Sequence, residues 1–290
     1  MNLKLGLLSL LTHAAVDAVA SQGSPCGTRA PSDEYVRVAR QLSAEQDEGG
    51  LKARSWWETT YINTYVHIIS HDETYEGGHV DGRTIKAQMD MLNANFANTG
   101  FQFILQDTTY TVDWRYATLR NEHDEYIIKN WLRRGSYKDL NLYYHTSIWD
   151  GSTGWSRFPG NAAPGSRDFI MDGCTMNVGT MPGGWYYPWN EGKVTTHEVG
   201  HWLGLIHPFE ARDLSDGCHG PGDWVDDTPA SASPTYGCPI WRDSCMLPGL
   251  DPVDNFMDYT DNRCQSRFTN GQIARMKSWF DYYRAWNLAY

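Results

Sequence analysis

Several features common in membrane, zinc-ribbon and glycosylated proteins are missing from this 290-residue sequence. Beyond its first twenty residues, no segment approaches the roughly 20 apolar residues that cross a bilayer, so we expect no membrane span. None of the six cysteines lies in a CxxC pair, which argues against a cysteine-rich zinc site. No Asn-x-Ser/Thr sequon occurs, and N-glycosylation is therefore not expected.

Basic residues are also scarce. The sequence has 24 Lys and Arg against 35 Asp and Glu, which gives a net charge of −11. Such a surface repels the phosphates of nucleic acids and anionic lipids, so we expect neither as a partner. The 41% of hydrophobic residues is enough for a packed core, and wholesale disorder is not expected.

The N-terminus has the pattern of an export signal. Lys4 supplies a positive start, residues 5–11 form a short apolar run, and residues 18–20 read Ala-Val-Ala, a small-x-small cleavage site. We therefore predict a signal peptide over residues 1–20 and a secreted, extracellular protein. The six cysteines suit that oxidising compartment.

The remaining sequence divides into two regions. Residues 21–54 are polar and without a convincing period, which predicts a pro-segment or N-terminal arm that ends near Arg54, and residues 55–290 read as one folded domain. Apolar patterns and turn residues predict the following elements in that domain: strands over 61–69, 101–105, 140–144 and 168–176, and helices over 84–98, 122–134, 193–203 and after the capping box at Thr269. The predicted fold is α/β, with an irregular region over residues 208–265.

One segment contains candidate metal-binding and catalytic residues. His197, Glu198, His201, Gly204 and His207 match the pattern HExxHxxGxxH, a known protease motif. On a helix, His197 and His201 lie one turn apart on the same face, and Glu198 projects beside them. Gly204 can adopt a left-handed conformation that turns the chain and brings His207 to the same place. Three imidazoles that leave one coordination position open are typical of a catalytic zinc ion.

The simpler alternative is a chance cluster on an ordinary helix. Five fixed positions of these residue types should coincide in roughly 10⁻⁵ of chains of this length. Chance is therefore a poor explanation, although each histidine by itself would be read as a core residue.

A second motif lies about fifty residues downstream, where residues 255–259 read Asn-Phe-Met-Asp-Tyr. Together with the long histidine motif, it resembles the Met-turn of metzincin proteases. The similarity is closest to the secreted microbial branch of the pappalysin family of zinc metalloproteases. Further segments that look like that family are residues 195–205, 222–229, 243–245 and 268–272.

The resemblance implies a zincin-like α/β (α+β) metzincin fold: a twisted mixed sheet with an active-site helix, followed by an irregular C-terminal subdomain with a Met-turn and a terminal helix. It implies a metalloprotease catalytic domain over residues 55–290 with zinc bound by His197, His201 and His207. Glu198 is then the general base, Met257 the apolar floor under the metal, and Tyr259 a hydrogen-bond donor to the reacting carbonyl. An extended peptide substrate would pair with an edge strand, which we place at residues 168–176.

The sequence is compatible with two functions of different classes, an enzyme and a binding protein. The first is a secreted metalloendopeptidase that acts on proteins or peptides, and we expect it to be a monomer. The alternative is a secreted binding protein in which zinc has only a structural role. Glu198 favours the protease, because a structural three-histidine site gains nothing from a base at that position.

The cysteines are partly assigned by the resemblance. It implies the disulfides Cys218–Cys245 and Cys238–Cys264, whereas six cysteines alone allow fifteen arrangements. Cys26 has two interpretations. The Pro-Cys-Gly sequence around it resembles a cysteine switch, in which a thiolate fills the open zinc position, and the alternative is a disulfide with Cys174.

A second metal is also predicted. The acidic stretch that contains Asp223, Asp226, Asp227 and Thr228 offers the oxygen ligands that calcium prefers, and pappalysins often carry calcium near this segment. The alternative is a solvated acidic loop that Pro229 ends.

Overall fold

The computed structural model describes residues 25–47, 58–210, 217–218, 222–246 and 249–285. The predicted signal peptide and the predicted end of the pro-segment near Arg54 lie outside these residues. The described α-helices are α1 (Asp33–Asp47), α2 (Gly82–Asn95), α3 (Trp114–Ala117), α4 (Glu122–Leu132), α5 (Arg167–Met171), α6 (Lys193–Trp202) and α7 (Asn270–Trp279). The described strands are β1 (Thr60–Ser70), β2 (Phe101–Val112), β3 (Thr118–Leu119), β4 (Leu140–His145), β5 (Ser147–Ile148), β6 (Gly154–Ser156) and β7 (Cys174–Asn177).

A five-stranded twisted sheet frames the molecule, in the order β2-β1-β4-β7-β6. The first four strands are parallel, and the short strand β6 runs antiparallel to β7 at the edge. Strand β4 is buried along its whole length, as expected for a central parallel strand. This mixed α/β architecture confirms the predicted fold class.

Helices α2 and α6 pack with the sheet around one apolar core. The core takes Ile62, Val66 and Ile68 from β1, Ile85, Met89 and Leu92 from α2, and Val199 and Trp202 from α6. Helix α2 begins where the Asp81 carboxylate accepts from the backbone N–H groups of Arg83 and Thr84, which satisfies two of its free donors. Gly100, at φ +79°, turns the chain into β2.

The sequence-based prediction of a strand over residues 168–176 is wrong. Residues 167–171 form the short helix α5, which begins where the Ser166 hydroxyl accepts from the backbone N–H of Phe169. Gly173, at φ +106°, then turns the chain, and strand β7 starts only at Cys174. Strand β7 lies between β4 and β6, so the edge strand on this side of the sheet is β6 and not the segment that was predicted.

A helix was also missed in the polar N-terminal region. Helix α1 presents Tyr35, Val36, Val38, Ala39 and Leu42 to the body of the protein, at the spacing of one helical face. The high proportion of polar residues around them hides this period in the sequence.

The region from Leu203 to Gln265 has little regular structure in its described part. Two disulfides cross it, Cys218–Cys245 and Cys238–Cys264, with Cα–Cα distances of 5.4 and 5.9 Å. These are the pairs that the family resemblance implies. None of the helices among the described residues has the length and apolar character needed to cross a membrane.

Candidate active site and metal centre

Helix α6 holds the first part of the site in the interior of the molecule. Both of its flanks are hydrogen-bonded to neighbouring elements: the Thr195 hydroxyl lies 2.8 Å from that of Tyr144 in β4, and Asn95 of α2 donates to the Thr196 hydroxyl at 2.8 Å. The helix is buried from Val194 to its end. It therefore presents His197, Glu198 and His201 from a fixed backbone.

A tight turn after α6 brings the third histidine back to the first two. Gly204 adopts φ +94°, and a Cβ there would lie 2.7 Å from Cγ of Trp279. A glycine is therefore required both for the backbone conformation and for the close packing. The backbone N–H of Leu205 donates to the Gly200 carbonyl at 2.9 Å, and the chain then places His207 beside His197.

The Nε2 atoms of the three histidines face one another. They are 3.1 Å apart for His197 and His201, 3.1 Å for His201 and His207, and 3.3 Å for His197 and His207. Each Nδ1 atom is engaged on the outside: His197 bonds the Phe256 carbonyl at 2.7 Å, His201 the Leu205 carbonyl at 2.8 Å and His207 the Glu210 carboxylate at 3.2 Å. Such outer partners fix ring orientation in metal sites.

This arrangement fits a metal cation. Carbonyl oxygens only accept, so His197 and His201 carry their proton on Nδ1 and turn unprotonated Nε2 lone pairs inwards. Facing lone pairs repel unless a cation lies among them. Tetrahedral Zn–N bonds of about 2.0–2.1 Å would separate the nitrogens by about 3.3 Å, close to the observed spacing. Burial lowers the pKa of His197 to about 3 and that of His201 well below its usual value, which keeps both rings in the neutral form that binds metals.

The Met-turn lies directly against α6. Met257 is fully buried, and a Cβ at Gly200 would lie 2.5 Å from its Sδ atom, so this glycine, which lies just before His201, makes room for the methionine. The turn itself is held by Asn255, whose side-chain oxygen accepts from the Met257 backbone N–H at 2.9 Å. Asn255 in turn bonds Gln272 of the α7 capping box, which is present as predicted.

Tyr259 reaches the same centre from the other side. Its hydroxyl lies 3.3 Å from His207 Nε2. The backbone behind it is held by the indole N–H of Trp189, which donates to the carbonyls of Tyr259 and Thr260 at 3.3 and 3.2 Å. The structure thus brings together the predicted histidines, Glu198, Met257 and Tyr259.

Glu198 is completely buried beside the histidines. Its Oε2 atom accepts from the Thr28 hydroxyl at 3.0 Å, and its Oε1 atom has no hydrogen-bond partner among the described residues. Desolvation raises the pKa of this carboxyl to about 8, against the smaller lowering effects of hydrogen bonds from Cys26 and Thr28.

Cys26 occupies the centre together with the histidines. Its Sγ atom lies 3.5 Å from His201 Nε2, and the four side chains form a buried group whose ligand atoms all lie within 4.8 Å of one another. No disulfide joins Cys26 to Cys174, which is buried in strand β7.

The backbone around Cys26 pairs with the edge strand β6. The Gly27 N–H donates to the Gly154 carbonyl and the Thr153 N–H donates to the Pro25 carbonyl, both at 2.8 Å. The Ser156 N–H donates to the Thr28 hydroxyl at 2.9 Å. Because Cys26 pairs with Gly154 in parallel, residues 25–28 lie along β6 in the manner of an added strand.

The predicted calcium residues do not converge in the same way. Within the described part of the chain, the Cys26 group is the only set of three or more potential metal-binding side chains. The Asp223 carboxylate accepts from the Val225 N–H and from Gln272, and Asp227 accepts from the Gly271 N–H at the start of α7. These aspartates order the loop around α7, and calcium remains an unsupported prediction.

Comparisons with known proteins identify the family. The sequence profile described as "Pregnancy-associated plasma protein-A", a peptidase family, matches residues 121–281. An extracellular metalloprotease from Pyricularia oryzae is 41% identical over 98% of this chain and 99% of its own length. This chain belongs to the pappalysin family of metalloproteases.

Solved mirolysin structures have the same fold. Promirolysin from Tannerella forsythia is 25% identical, covers 88% of this chain and 93% of its own, and superimposes with a TM-score of 0.65. Mature mirolysin in complex with a cleaved peptide, from the same organism, is 25% identical, covers 77% of this chain and 92% of its own, and gives a TM-score of 0.62. These similarities confirm the family resemblance seen in the sequence.

Three features of this pappalysin site were missed in the sequence. Thr28 contacts Glu198, Glu210 bonds His207, and strand β6 forms the sheet edge beside Thr28 and Glu198. Glu210 lies three residues after the last histidine, a spacing that could have identified it. Strand β6 has only three residues and leaves no detectable alternation.

Proposed function

We propose that this pappalysin is a secreted zinc metalloendopeptidase and that its N-terminal segment holds it in a latent form. The observation that carries the proposal is the convergence of three inward-facing Nε2 atoms at 3.1–3.3 Å, with the Glu198 carboxylate beside them. Relatives named as extracellular metalloproteases support secretion, and the predicted export signal at residues 1–20 agrees with it. Peptides and proteins are the substrate class that the peptidase family implies.

The donor set fits zinc, with His197, His201 and His207 as its ligands. When bound, zinc acts as a Lewis acid and lowers the pKa of a water molecule to about 7. Glu198 takes the proton from the attacking water and later donates it to the departing amine, so one carboxyl serves as base and then as acid. The Tyr259 hydroxyl donates to the carbonyl oxygen as negative charge develops there, a type of contact commonly worth about 3 kcal/mol.

Strand β6 is the proposed platform for the substrate backbone. In the latent form its N–H and C=O groups at Thr153, Gly154 and Ser156 are already bonded to residues 25–28. A substrate that replaces this segment can use the same groups, which hold an extended chain across the site.

Residues 25–28 block catalysis in this proposal. Cys26 places its sulfur at the position that water needs, and Thr28 occupies one oxygen of Glu198. The larger share of this chain covered by promirolysin, 88% against 77% for the mature protein, supports reading the N-terminal region as a pro-segment. These contacts favour the cysteine switch over the alternative disulfide with Cys174.

The decisive test is Glu198→Gln, compared with Glu76→Gln at an exposed position, after removal of the residues that precede Ser55. Loss of the base should lower kcat/KM on casein at least about a hundredfold without loss of bound zinc. The control should match the wild type. Full activity of Glu198→Gln would contradict the mechanism, and a wild-type protein that binds zinc but hydrolyses nothing would favour the zinc-stabilised binding protein.

A further inference from the structure

Helix α1 is attached to the body of the protein by an apolar face that lies apart from the metal centre. Five of its side chains are buried with exposures of 4% or less: Tyr35, Val36, Val38, Ala39 and Leu42. The opposite face is exposed and carries the ion pair Glu34–Arg37, whose two side chains are each more than half exposed. The helix is therefore amphipathic, and its inner face needs a partner.

That partner is a surface built from four parts of the catalytic region. It consists of Tyr137, Ala162, Ile206, Trp279 and Tyr283, with Phe158 at its margin. Without α1, these side chains would form a contiguous apolar patch, which soluble proteins rarely expose.

Tyr35 makes the most specific contacts in this interface. Its ring stacks on Trp279 at a centroid distance of 4.2 Å and packs against Phe158 at 4.8 Å. Its hydroxyl donates to the carbonyl of Gly204 at 2.5 Å, at the end of the active-site helix. A buried aromatic ring with a satisfied polar end is typical of residues that dominate the energy of an interface.

The N-terminal segment thus has two separate attachments. Residues 25–28 contact the metal centre and β6, and helix α1 contacts the Trp279 surface. Linking two weakly held parts raises the effective concentration of each, so that either attachment keeps the other near its site.

We propose that helix α1 keeps the pro-segment bound after the chain is cut between Asp47 and Glu58, so that the Trp279 surface is a docking site for the severed segment. The cut alone then leaves Cys26 and Thr28 in place, and activity appears only when the segment dissociates or is degraded. The proposal rests on the proposed function only in treating residues 25–28 as a block to catalysis, since binding of the segment is measured separately.

The test uses the full chain with a site-specific protease sequence in place of residues 51–54. Binding is measured in the Glu198→Gln background, which prevents self-degradation. After complete cleavage, gel filtration at micromolar concentration should recover the N-terminal fragment with the body in a one-to-one ratio. The same cut in the protein with Glu198 intact should leave most activity masked until the fragment is removed.

Matched variants assign the binding to α1. Leu42→Ala should raise the dissociation rate of the fragment about thirtyfold or more, because it empties a buried site. Arg37→Ala on the exposed face should leave the rate unchanged, and Cys26→Ala should leave the fragment bound.

Three results would overturn the proposal: release of the wild-type fragment on cutting, release caused by Cys26→Ala alone, or equal dissociation rates for Leu42→Ala and Arg37→Ala. Because these measurements follow binding, they do not depend on whether the protein hydrolyses peptides. A bound fragment on a body without zinc or protease activity would leave the docking proposal intact and contradict the proposed function.

Discussion

Different kinds of interaction stabilise the two halves of this pappalysin. The sheet half, residues 58–202, shares a mainly parallel backbone ladder and a core drawn from β1, α2 and α6. The loop half, residues 203–265, relies in its described part on side chains and crosslinks. Examples are the ion pair between Arg242 and Asp251 at 2.5 Å and the two disulfides. One half is stabilised by repeating structure and the other by individual contacts.

The metal centre lies where these halves meet. His197 and His201 come from the last helix of the sheet half, whereas His207, Met257 and Tyr259 come from the loop half. An ion held by the three histidines, as we propose, would crosslink an ordered scaffold to a region with little regular structure of its own. We expect metal and disulfides to stabilise mainly the loop half, and the almost completely buried pairs Glu125–Lys129 and Arg133–Asp172 to stabilise mainly the sheet half.

The largest effect should come from Asp172, a buried charge that ties the sheet half to the C-terminal segment. Its carboxylate bonds Arg284 at 3.0 and 3.1 Å and the Trp202 indole at 3.2 Å, and Arg133 lies 3.5 Å away. Asp172→Asn leaves buried guanidinium groups uncompensated, and we expect a loss of about 3–5 kcal/mol in the free energy of unfolding. Urea denaturation at pH 7 measures this loss in the free energy of unfolding. Asp90→Asn, at an exposed position, is the control.

The same residue predicts a pH dependence. Burial alone would raise the pKa of Asp172, but the charges of Arg284 and Arg133 outweigh it and hold the pKa below its usual value. A lowered pKa contributes stability that is present above the unfolded-state value, about 3.9, and is lost as pH falls through the folded-state value. The stability difference between wild type and Asp172→Asn should therefore shrink below about pH 4. A constant difference from pH 7 to pH 3 would contradict this assignment.

A smaller effect, confined to the loop half, should follow removal of one disulfide. The double variant Cys238→Ser, Cys264→Ser opens a crosslink between residues 26 positions apart, which should cost about 2–4 kcal/mol. Hydrogen exchange should accelerate around residues 230–265 and remain slow in β1 and β4. Cys174→Ala, which removes a buried thiol from the sheet half, is the matched control. Equal acceleration of hydrogen exchange in both halves would show that the disulfide does not stabilise the loop half in particular.

The smallest effect should come from the contact between the halves. Gly200→Ala places a Cβ about 2.5 Å from Met257 Sδ, so the usual gain from alanine in a helix is reversed. We expect a loss of about 1–3 kcal/mol from overpacking. Gly82→Ala in α2, where the Cβ meets open space, should be neutral or stabilising. Thermal unfolding of both variants tests this difference. Similar changes in unfolding temperature for the two variants would show that Met257 is not packed tightly against Gly200.

The features that the sequence predicted are those with local signals. The spacing of His197, His201 and His207 directly predicts a helix followed by a turn. The α7 capping box is predicted by Thr269 and Gln272 alone. Strands β1 and β4 are apolar enough to be recognised by composition.

The features that it missed depend on contacts between distant residues. Whether α1 forms depends on Trp279 and Ile206, which lie more than 160 residues away along the chain. Thr28 acquires a role only because the edge strand β6 and Glu198 meet it in space. Helix α5 has five residues, too few to show a helical period, and its apolar residues were therefore read as part of a strand.

X-ray absorption spectroscopy at the zinc edge tests the central claim most directly. The latent protein should contain one zinc ion per chain with three nitrogen ligands at about 2.0–2.1 Å and one sulfur at about 2.3 Å, and Cys26→Ala should lose only the sulfur. His201→Ala should lose most of the zinc. A protein that takes up no zinc, or a zinc ion whose ligands are unchanged in both variants, would contradict the claim that these three imidazoles form a catalytic metal site.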